Sequence, residues 1–575
     1  MHTVGGGFLL ARSGAPEIFT PEDFSEEHRL AARSLAAFLD AEVEPRAADL
    51  ETHNYPLMRE LLRRLGALGF LAVDVSEEYG GSGLDLITSL LVAETMSRGS
   101  FAVSFGAHTV IGTLPIVYFG TEAQKRRYLP GLAAGELVGA YALTEPTAGS
   151  DALAARTRAV LTEDGDAYRL TGTKQFITNA GFADVFTTYA KVDGERFTGF
   201  IVDRATDGLE VGPEEHKMGI RGSSTASLFF DNARVPAGNV LGEVGGGHRV
   251  ALNILNMGRL KLATACAGAA KRALRHAVAY AKERRQFGRS IASFGLIQQK
   301  LADMAVRIYL LESMIYRTGG LIRAAGTAPD GAVAALEEYA VECAIAKVYG
   351  SEAAGFVADE TVQIFGGYGF IEDYPAARAY RDARINRIYE GTNEINRLLI
   401  TGMLLRRAQR GRLPLLAAVR SAAGRSLPGV ETSGGVLAEA HRDVEAARAA
   451  CLRVAGSAVA KCGDRLGDEQ EILAGIADLV IDVFAMESGL LRAHRALDRG
   501  AAADAKVDLV RAGLADGLFR MEGRCRQVLA AVEEGEELRG ALAALHGLVP
   551  DVPPDGIRLR RRIAGRLLDA GGYVA

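Results

Sequence analysis

AYALTEPTAGSD, Ala140–Asp151, is where this chain changes character. Before it, from about Glu22 to Leu137, apolar residues recur three and four apart. EEHRLAARSLAAFLDAEVEPRA predicts a helix that Pro45 stops, and LMRELLRRLGALGF a second closed by Gly69. YGGSG (Tyr79–Gly83) is a turn cluster, and LITSLLVAETMSRGS resumes helical spacing. From Val138 the runs shorten and fill with Val, Thr, Phe and Tyr between Gly and Asp turns: RTRAVLTEDGDAYRLTGTKQFITN, DVFTTYAKV, FTGFIVD and TASLFFDNARVP. They predict a small antiparallel β domain. Helical spacing returns near His248 and persists to about Arg407. RGRLP (Arg410–Pro414) and SLPGVETSGG (Ser426–Gly435) read as linkers. The last stretch is helical again, VLAEAHRDVEAARAACLRVAGSAVAKCG most clearly. The fold class is therefore mainly α with one β domain. The parts are 22–137 (helical), 138–243 (β), 244–407 (helical) and 430–575 (an additional helical domain).

The 575 residues suffice for several domains, and 48% hydrophobic with 24% charged residues is the composition of a chain that packs cores. A net charge of -5, and a near balance of acidic and basic residues beyond Thr401, argue against a nucleic-acid partner. Cys266, Cys343, Cys451, Cys462 and Cys525 form no CxxC and no metal-ligand spacing, so no metal is expected. They read as reduced thiols packed in helices, in a cytoplasm-like, bacterial-like compartment. MHTVGGGFLLARSG lacks the basic start of a signal peptide, and no run approaches the ~18 apolar residues of a membrane span. IRLRRRIAGRLL (Ile557–Leu568) is a basic amphipathic stretch. It could touch an anionic membrane surface peripherally, or pack on the protein with its arginines solvated.

Four segments carry chemistry. RINRIYEGTNEINRLLI (Arg384–Ile400) sets Glu390 before Gly391 and a helix start that Thr392 can cap; a carboxylate at such a junction can project into a cleft, or simply flank the cap. AYALTEPTAGSD offers backbone N–H groups and hydroxyls suited to a polar planar ring or a phosphate, or to an ordinary Pro-Gly turn. In KQFITNAG (Lys174–Gly181), Phe176 could stack on a flat ring and Thr178 bond its edge; a Phe in a strand also fits a core. In ERRQFGRSI (Glu283–Ile291), Arg284 is a candidate phosphate partner or a solvated charge. There is no GxGxxG on a strand-to-helix turn, so a dinucleotide would need another architecture.

Taken in order, YALTEPTAGSD, KQFITNAG, RRQFG, QIFGGYGF and IYEGTNEI resemble the signature segments of the acyl-CoA dehydrogenase family, over about Phe24 to Leu405. The resemblance implies an N-terminal helical domain, a β-barrel-like middle domain and a C-terminal four-helix bundle. It implies FAD as cofactor, a fatty acyl-CoA as substrate, and Glu390 as the base that takes the α-proton. Some members place the base at the position matching Gly258, and glycine has no carboxyl. Tyr141, Leu143, Thr144, Gly149 and Ser150 then match flavin contacts, as do Phe176, Ile177 and Thr178. Arg284 and Phe287, with Gln363, Gly366 and Gly367, match residues reaching the FAD of a neighbouring subunit, and Thr392 and Glu394 match contacts to its adenine-side phosphates. Ser150, Asn256, Arg259, Tyr389 and Gly391 match contacts to the CoA or thioester region. With the added C-terminal helices, FGLIQ (Phe294–Gln298) and GAH (Gly106–His108) resemble the very-long-chain members, which form homodimers. Val103, Gly106 and Ala107 are apolar or small on the acyl-pocket wall, which implies long acyl chains. An electron-transfer flavoprotein would be the acceptor. An oxidase would share the base and yield hydrogen peroxide, and a non-catalytic scaffold would show no turnover.

Overall fold

The computed structural model describes residues 4–10, 18–326, 331–422, 435–500, 503–546, 548–550 and 554–575. All but the last residue of the linker expected at 426–435 lies outside them. The chain divides into two compact units: Ser25–Gly268 with Arg384–Asn386, and Met1–Phe24 with Ala269–Ala383 and Arg387–Ala575.

The first unit opens with α1 (Glu26–Phe38), whose N-terminal N–H groups are satisfied by Ser25 accepting from His28 N. Pro45 does not stop the helical path. The backbone widens into a π turn at Leu39–Val43, tightens into a 3-10 turn at Glu44–Arg46 and continues through Ala47–Leu50. Proline is tolerated because it falls in the first turn of a new segment, where its missing N–H has no partner to lose. α2 (Tyr55–Ala67) starts at Asn54 and ends before Gly69, which turns the chain at φ +82°. α3 (Leu86–Thr95) precedes α4 (Gly99–Gly106), which runs through a π turn at Ala107–Gly112 into α5 (Leu114–Phe119). The run Gly99–Phe119 is, contrary to the sequence expectation, long and apolar enough to cross a membrane; 72% of its apolar window is buried inside the protein, as in a core helix. α6 (Glu122–Ala134) completes this part.

Eight strands form one sheet: β1 (Gly139–Ala142), β2 (Arg158–Leu161), β3 (Ala167–Thr178), β4 (Val185–Val192), β5 (Arg196–Asp203), β6 (Leu209–Glu214), β7 (Thr225–Pro236) and β8 (Val240–Leu241). The order is β6-β7-β3-β2-β4-β5-β8, with β1 beside β4. The expectation of an antiparallel domain needs amending, since β1 and β2 both run parallel to β4. β1 arrives from helices rather than through a hairpin, so no tight turn dictates its direction. Its start is instead captured by side chains: Val138 N donates to Asp184 Oδ2 (2.8 Å) and Gly139 N to His108 Nδ1 (3.0 Å).

α7 (Gly247–Glu283) belongs to this unit as far as Gly268 and to the other from Ala269. In the second unit, α8 (Gly295–Ala325), α9 (Ala340–Phe365) and α10 (Asn393–Gln409) pack in sequence, and the end of α7 joins them through Lys271 paired with Glu312 and Tyr280 stacked on Phe365. The C-terminal helices α11 (Ala438–Cys462), α12 (Gln470–Asp498), α13 (Asp504–Val532) and α14 (Gly556–Ala570) pack against one another and against the bundle. All five cysteines lie in helices, four of them buried.

RGRLP is a tight turn rather than a spacer. Gly411 sits at φ +70°, Arg412 N and Leu413 N both donate to Arg407 O, and the Leu413 side chain is buried. Ile557–Leu568 is a packed helix. Arg560 bonds Asp303 and Asp516, while Arg562 and Arg566 share Asp508; Arg558 and Arg561 remain exposed.

Buried ions join the bundle to the C-terminal helices. Glu487 accepts from Arg317 (2.8 Å) and Arg448 (2.5 Å), and Arg492 bonds Glu312 (2.5 Å) and Glu22 (2.8 Å). Residues 4–10 form a strap over this region. Gly5 N donates to Glu338 Oε1 (2.8 Å), Gly6 N donates to Glu342 Oε1 (2.7 Å), and the Phe8 ring lies 4.7 Å from that of Phe484.

Candidate active site

In the first unit the candidate residues surround the edge of β1 and a bulge in β3. Regular alternation would put Lys174 and Phe176 on the same face. A register shift between Lys174 and Ile177 inserts one residue, so Lys174 and Ile177 are both buried while Phe176 is turned outward. Phe176 is 57% exposed at φ +58°, so it is not a core residue. Ile177, 2% exposed, belongs to the core, and what it offers a ligand is its backbone.

Lys174 fixes the neighbouring loop: its Nζ donates to Leu143 O (3.2 Å) and Glu145 Oε1 (2.7 Å). Glu145 also accepts from Arg156 N and Thr157 N, and Gln175 N donates to Thr144 O (2.9 Å). Burial draws the Lys174 ammonium down to about 8. Burial pushes the Glu145 carboxyl up, but Lys174 and the N–H bonds more than offset this and hold it below the usual range. Tyr141 stands edge-on to Tyr189, with ring centroids 5.3 Å apart. Thr178 is half-buried, and Gly149 and Ser150 are exposed, with no atom within 4 Å of where a Gly149 Cβ would stand. On α7, Arg259 donates to Asn256 Oδ1 (2.9 Å), and both are buried.

In the second unit Glu390 ends a loop before α10. Glu390 and Gly391 are both left-handed, at φ +57° and +80°. That conformation costs a non-glycine residue about 1–2 kcal/mol. Two buried groups hold the loop's carbonyls. Lys347 Nζ donates to Gly391 O (2.6 Å), and Asn396 Nδ2 donates to Gly391 O (2.8 Å) and Thr392 O (3.0 Å). Asn393, held by Ser351 and Glu352, accepts from Lys347 at 2.8 Å. A charge-assisted bond contributes about 1.5–3 kcal/mol, enough to outweigh the strain. Thr392 caps α10 by accepting from Ile395 N (3.2 Å), and backbone N–H groups at the helix start hold the exposed Glu394 carboxyl below its usual range. Tyr389 is half-buried.

Arg284 precedes a two-stranded hairpin, Arg285–Gln286 with Arg289–Ser290. Its two turn residues, Phe287 and Gly288, are left-handed at φ +51° and +79°, as a tight hairpin requires. Phe287 is 93% exposed. The Arg284 guanidinium lies 5.6 Å from the Tyr368 ring centroid, which brings the hairpin to the Gly366–Phe370 turn. Gln363 is exposed there, and Gly366 and Gly367 have open space where a Cβ would stand.

Lys347, Asn393 and Asn396 escaped the sequence reading. The available signal was a lone lysine in an otherwise apolar helical run, AVECAIAKVYG.

In the first unit the exposed Phe176 ring and the open Gly149 suit a flat ring system, and in the second the open Gly366 and Gly367 and the helix start at Thr392 suit the phosphates of a dinucleotide. A braced carboxylate and groups suited to a dinucleotide are the equipment of an oxidoreductase. Comparison with known proteins bears this out. Family models described as the acyl-CoA dehydrogenase N-terminal, middle and C-terminal domains match residues 25–136, 140–233 and 245–405, and a further acyl-CoA dehydrogenase C-terminal domain model matches 446–546. A probable acyl-CoA dehydrogenase of Bacillus subtilis is 47% identical over 99% of this chain and 98% of its own. The human mitochondrial very long-chain specific acyl-CoA dehydrogenase is 39% identical over 80% of this chain and 75% of its own. A crystal structure of an acyl-CoA dehydrogenase from Bacillus anthracis, complexed with FAD, superposes with a TM-score of 0.98, 46% identity and full coverage of both chains. The chain belongs to the acyl-CoA dehydrogenase family.

Proposed function

We propose that this enzyme dehydrogenates long-chain fatty acyl-CoA to the trans-2-enoyl-CoA, a step of fatty acid β-oxidation, with Glu390 as base and FAD as cofactor. The observation that carries the reading is the strained, doubly braced placement of Glu390. A carboxylate held there, and deprived of water when an apolar chain binds, is a stronger base toward the weakly acidic α-proton. The Glu390 N–H polarises the thioester oxygen as enolate charge develops. Tyr141, Leu143, Thr144, Phe176 and Thr178 hold the flavin, Thr392 and Glu394 serve the adenine-side phosphates, and Arg284, Phe287, Gln363, Gly366 and Gly367 reach the FAD of a neighbouring subunit. FAD, when bound, supplies the acceptor for the electron pair leaving Cβ. Ser150, Asn256, Arg259, Tyr389 and Gly391 orient the CoA thioester.

Support for long chains comes from Gly106, where no atom lies within 4 Å of a would-be Cβ. A homodimer is supported by the exposed Phe287 and Phe370 at the hairpin and its neighbouring turn. An electron-transfer flavoprotein as acceptor and a cytoplasmic location complete the proposal. A membrane role for Ile557–Leu568 would require the Arg560, Arg562 and Arg566 pairs to open, so packing is favoured there.

The test is anaerobic addition of palmitoyl-CoA to the purified yellow protein. The flavin spectrum should bleach. Glu390→Gln should stay yellow and bleach slower by about a thousandfold or more; bleaching at the wild-type rate in that variant would refute the assignment.

A further inference from the structure

We propose that Lys347 and Asn396 are positioning residues for proton abstraction: they keep Glu390 in its left-handed conformation and thereby aim its carboxylate. This rests on Glu390 being the base.

Lys347 is wholly buried in α9, a helix whose neighbouring residues Ile345, Ala346 and Val348 are apolar and buried. A buried ammonium is retained only where it is paired with acceptors. Its acceptors include the carbonyl of Gly391 and the amide oxygen of Asn393, the first residue of α10. Asn396, one turn into α10, also donates to the Gly391 carbonyl, and to that of Thr392. Gly391 O is thus held from α9 and from α10 at once. Two consecutive left-handed residues reverse the chain sharply, and the fixed carbonyl at the second, with Asn396 Nδ2 also 3.4 Å from Glu390 O, opposes relaxation of the first to negative φ. Relaxation at Glu390 would rotate its Cα–Cβ bond and carry the carboxylate off line. Arg397 adds support from below by bonding Glu352 (2.9 Å) on α9 and Asp478 (2.7 Å) on α12. A loop set only by its cap would need neither the buried ammonium nor the second amide; Thr392 alone caps the helix.

The role predicts a division among observables. Substrate affinity and cofactor content draw on many groups besides Gly391 and Thr392, whereas the chemical step depends on carboxylate placement, and an error of about 1 Å costs roughly a hundredfold. Lys347→Met keeps the length of the side chain and removes its donor. Asn396→Ala, a milder change, removes the second donor and keeps the test readable if the first variant folds poorly.

Each variant, purified with its flavin, would be mixed anaerobically with palmitoyl-CoA in a stopped-flow instrument, and its crystal structure determined. The expected result is a bleaching rate per bound flavin lower by about a hundredfold. The half-saturating acyl-CoA concentration and flavin content should stay near wild type, and φ at Glu390 should move to negative values. Wild-type bleaching per flavin with φ at Glu390 still positive would overturn the role. So would a loss confined to flavin content or stability. If Glu390→Gln also bleached at the wild-type rate, the fault would lie with the base assignment itself.

Discussion

Phe176, Phe287 and Glu390 share a backbone conformation that side chains seldom adopt, each with φ between +51° and +58°. Their identities were legible in KQFITNAG, RRQFG and IYEGTNEI; their conformations were not, because a β-bulge, a two-residue hairpin turn and hydrogen bonds from distant residues respectively impose them. His108 shows the same limit from the other side. It reads as one polar residue in an apolar run, yet its Nδ1 accepts from Gly139 N and its Nε2 bonds Leu132 O (3.0 Å), which requires the neutral ring. Burial draws its imidazole down to about 4, against 6.5 when exposed. Its contribution is therefore complete above pH 6.5 and is lost as pH falls through about 4, a decline of up to about 3 kcal/mol. Urea midpoints measured from pH 7 to pH 4 should fall more steeply for the wild type than for His108→Gln.

At the scale of elements, spacing located the helices and strands well, but their joints less so. Pro45 reads as a stop and Arg410–Pro414 as a spacer, yet the helical path runs on through the first and the second is a tight turn, because what a proline or glycine does depends on which turn it enters. The strap of residues 4–10 was invisible to periodicity. Gly6 sits at φ +77°, and a Cβ there would stand 2.6 Å from Leu404 Cδ2. Gly6→Val should lower stability by about 2–4 kcal/mol, read as a fall in melting temperature. Beneath the strap, burial pushes the Glu342 carboxyl up to about 7. Stability from its neutral form is complete below about pH 4.5 and is lost as pH rises through 7. Glu342→Gln should accordingly flatten the alkaline limb and gain up to about 3 kcal/mol at pH 8 in the same melts.

At the scale of the whole molecule, the order of helical, β, helical and helical regions could be read directly. The charged network behind the C-terminal helices could not, since Glu22, Glu312, Glu487 and Arg492 carry no local signature. Arg492→Met would leave Glu22 and Glu312 without a principal cation and should destabilise the protein by about 3–5 kcal/mol in denaturant titration. The same network bears on how the protein is made. Glu22 and Arg492 are 470 residues apart. At about 5–20 residues per second, a ribosome delivers the second roughly half a minute to a minute and a half after the first. Over that interval Glu22 lacks its arginine, while Ser25–Gly268 is already out and can begin to collapse. Glu22 is thus set in place only after the chain through Arg492 has been made, and the second unit closes later than the first.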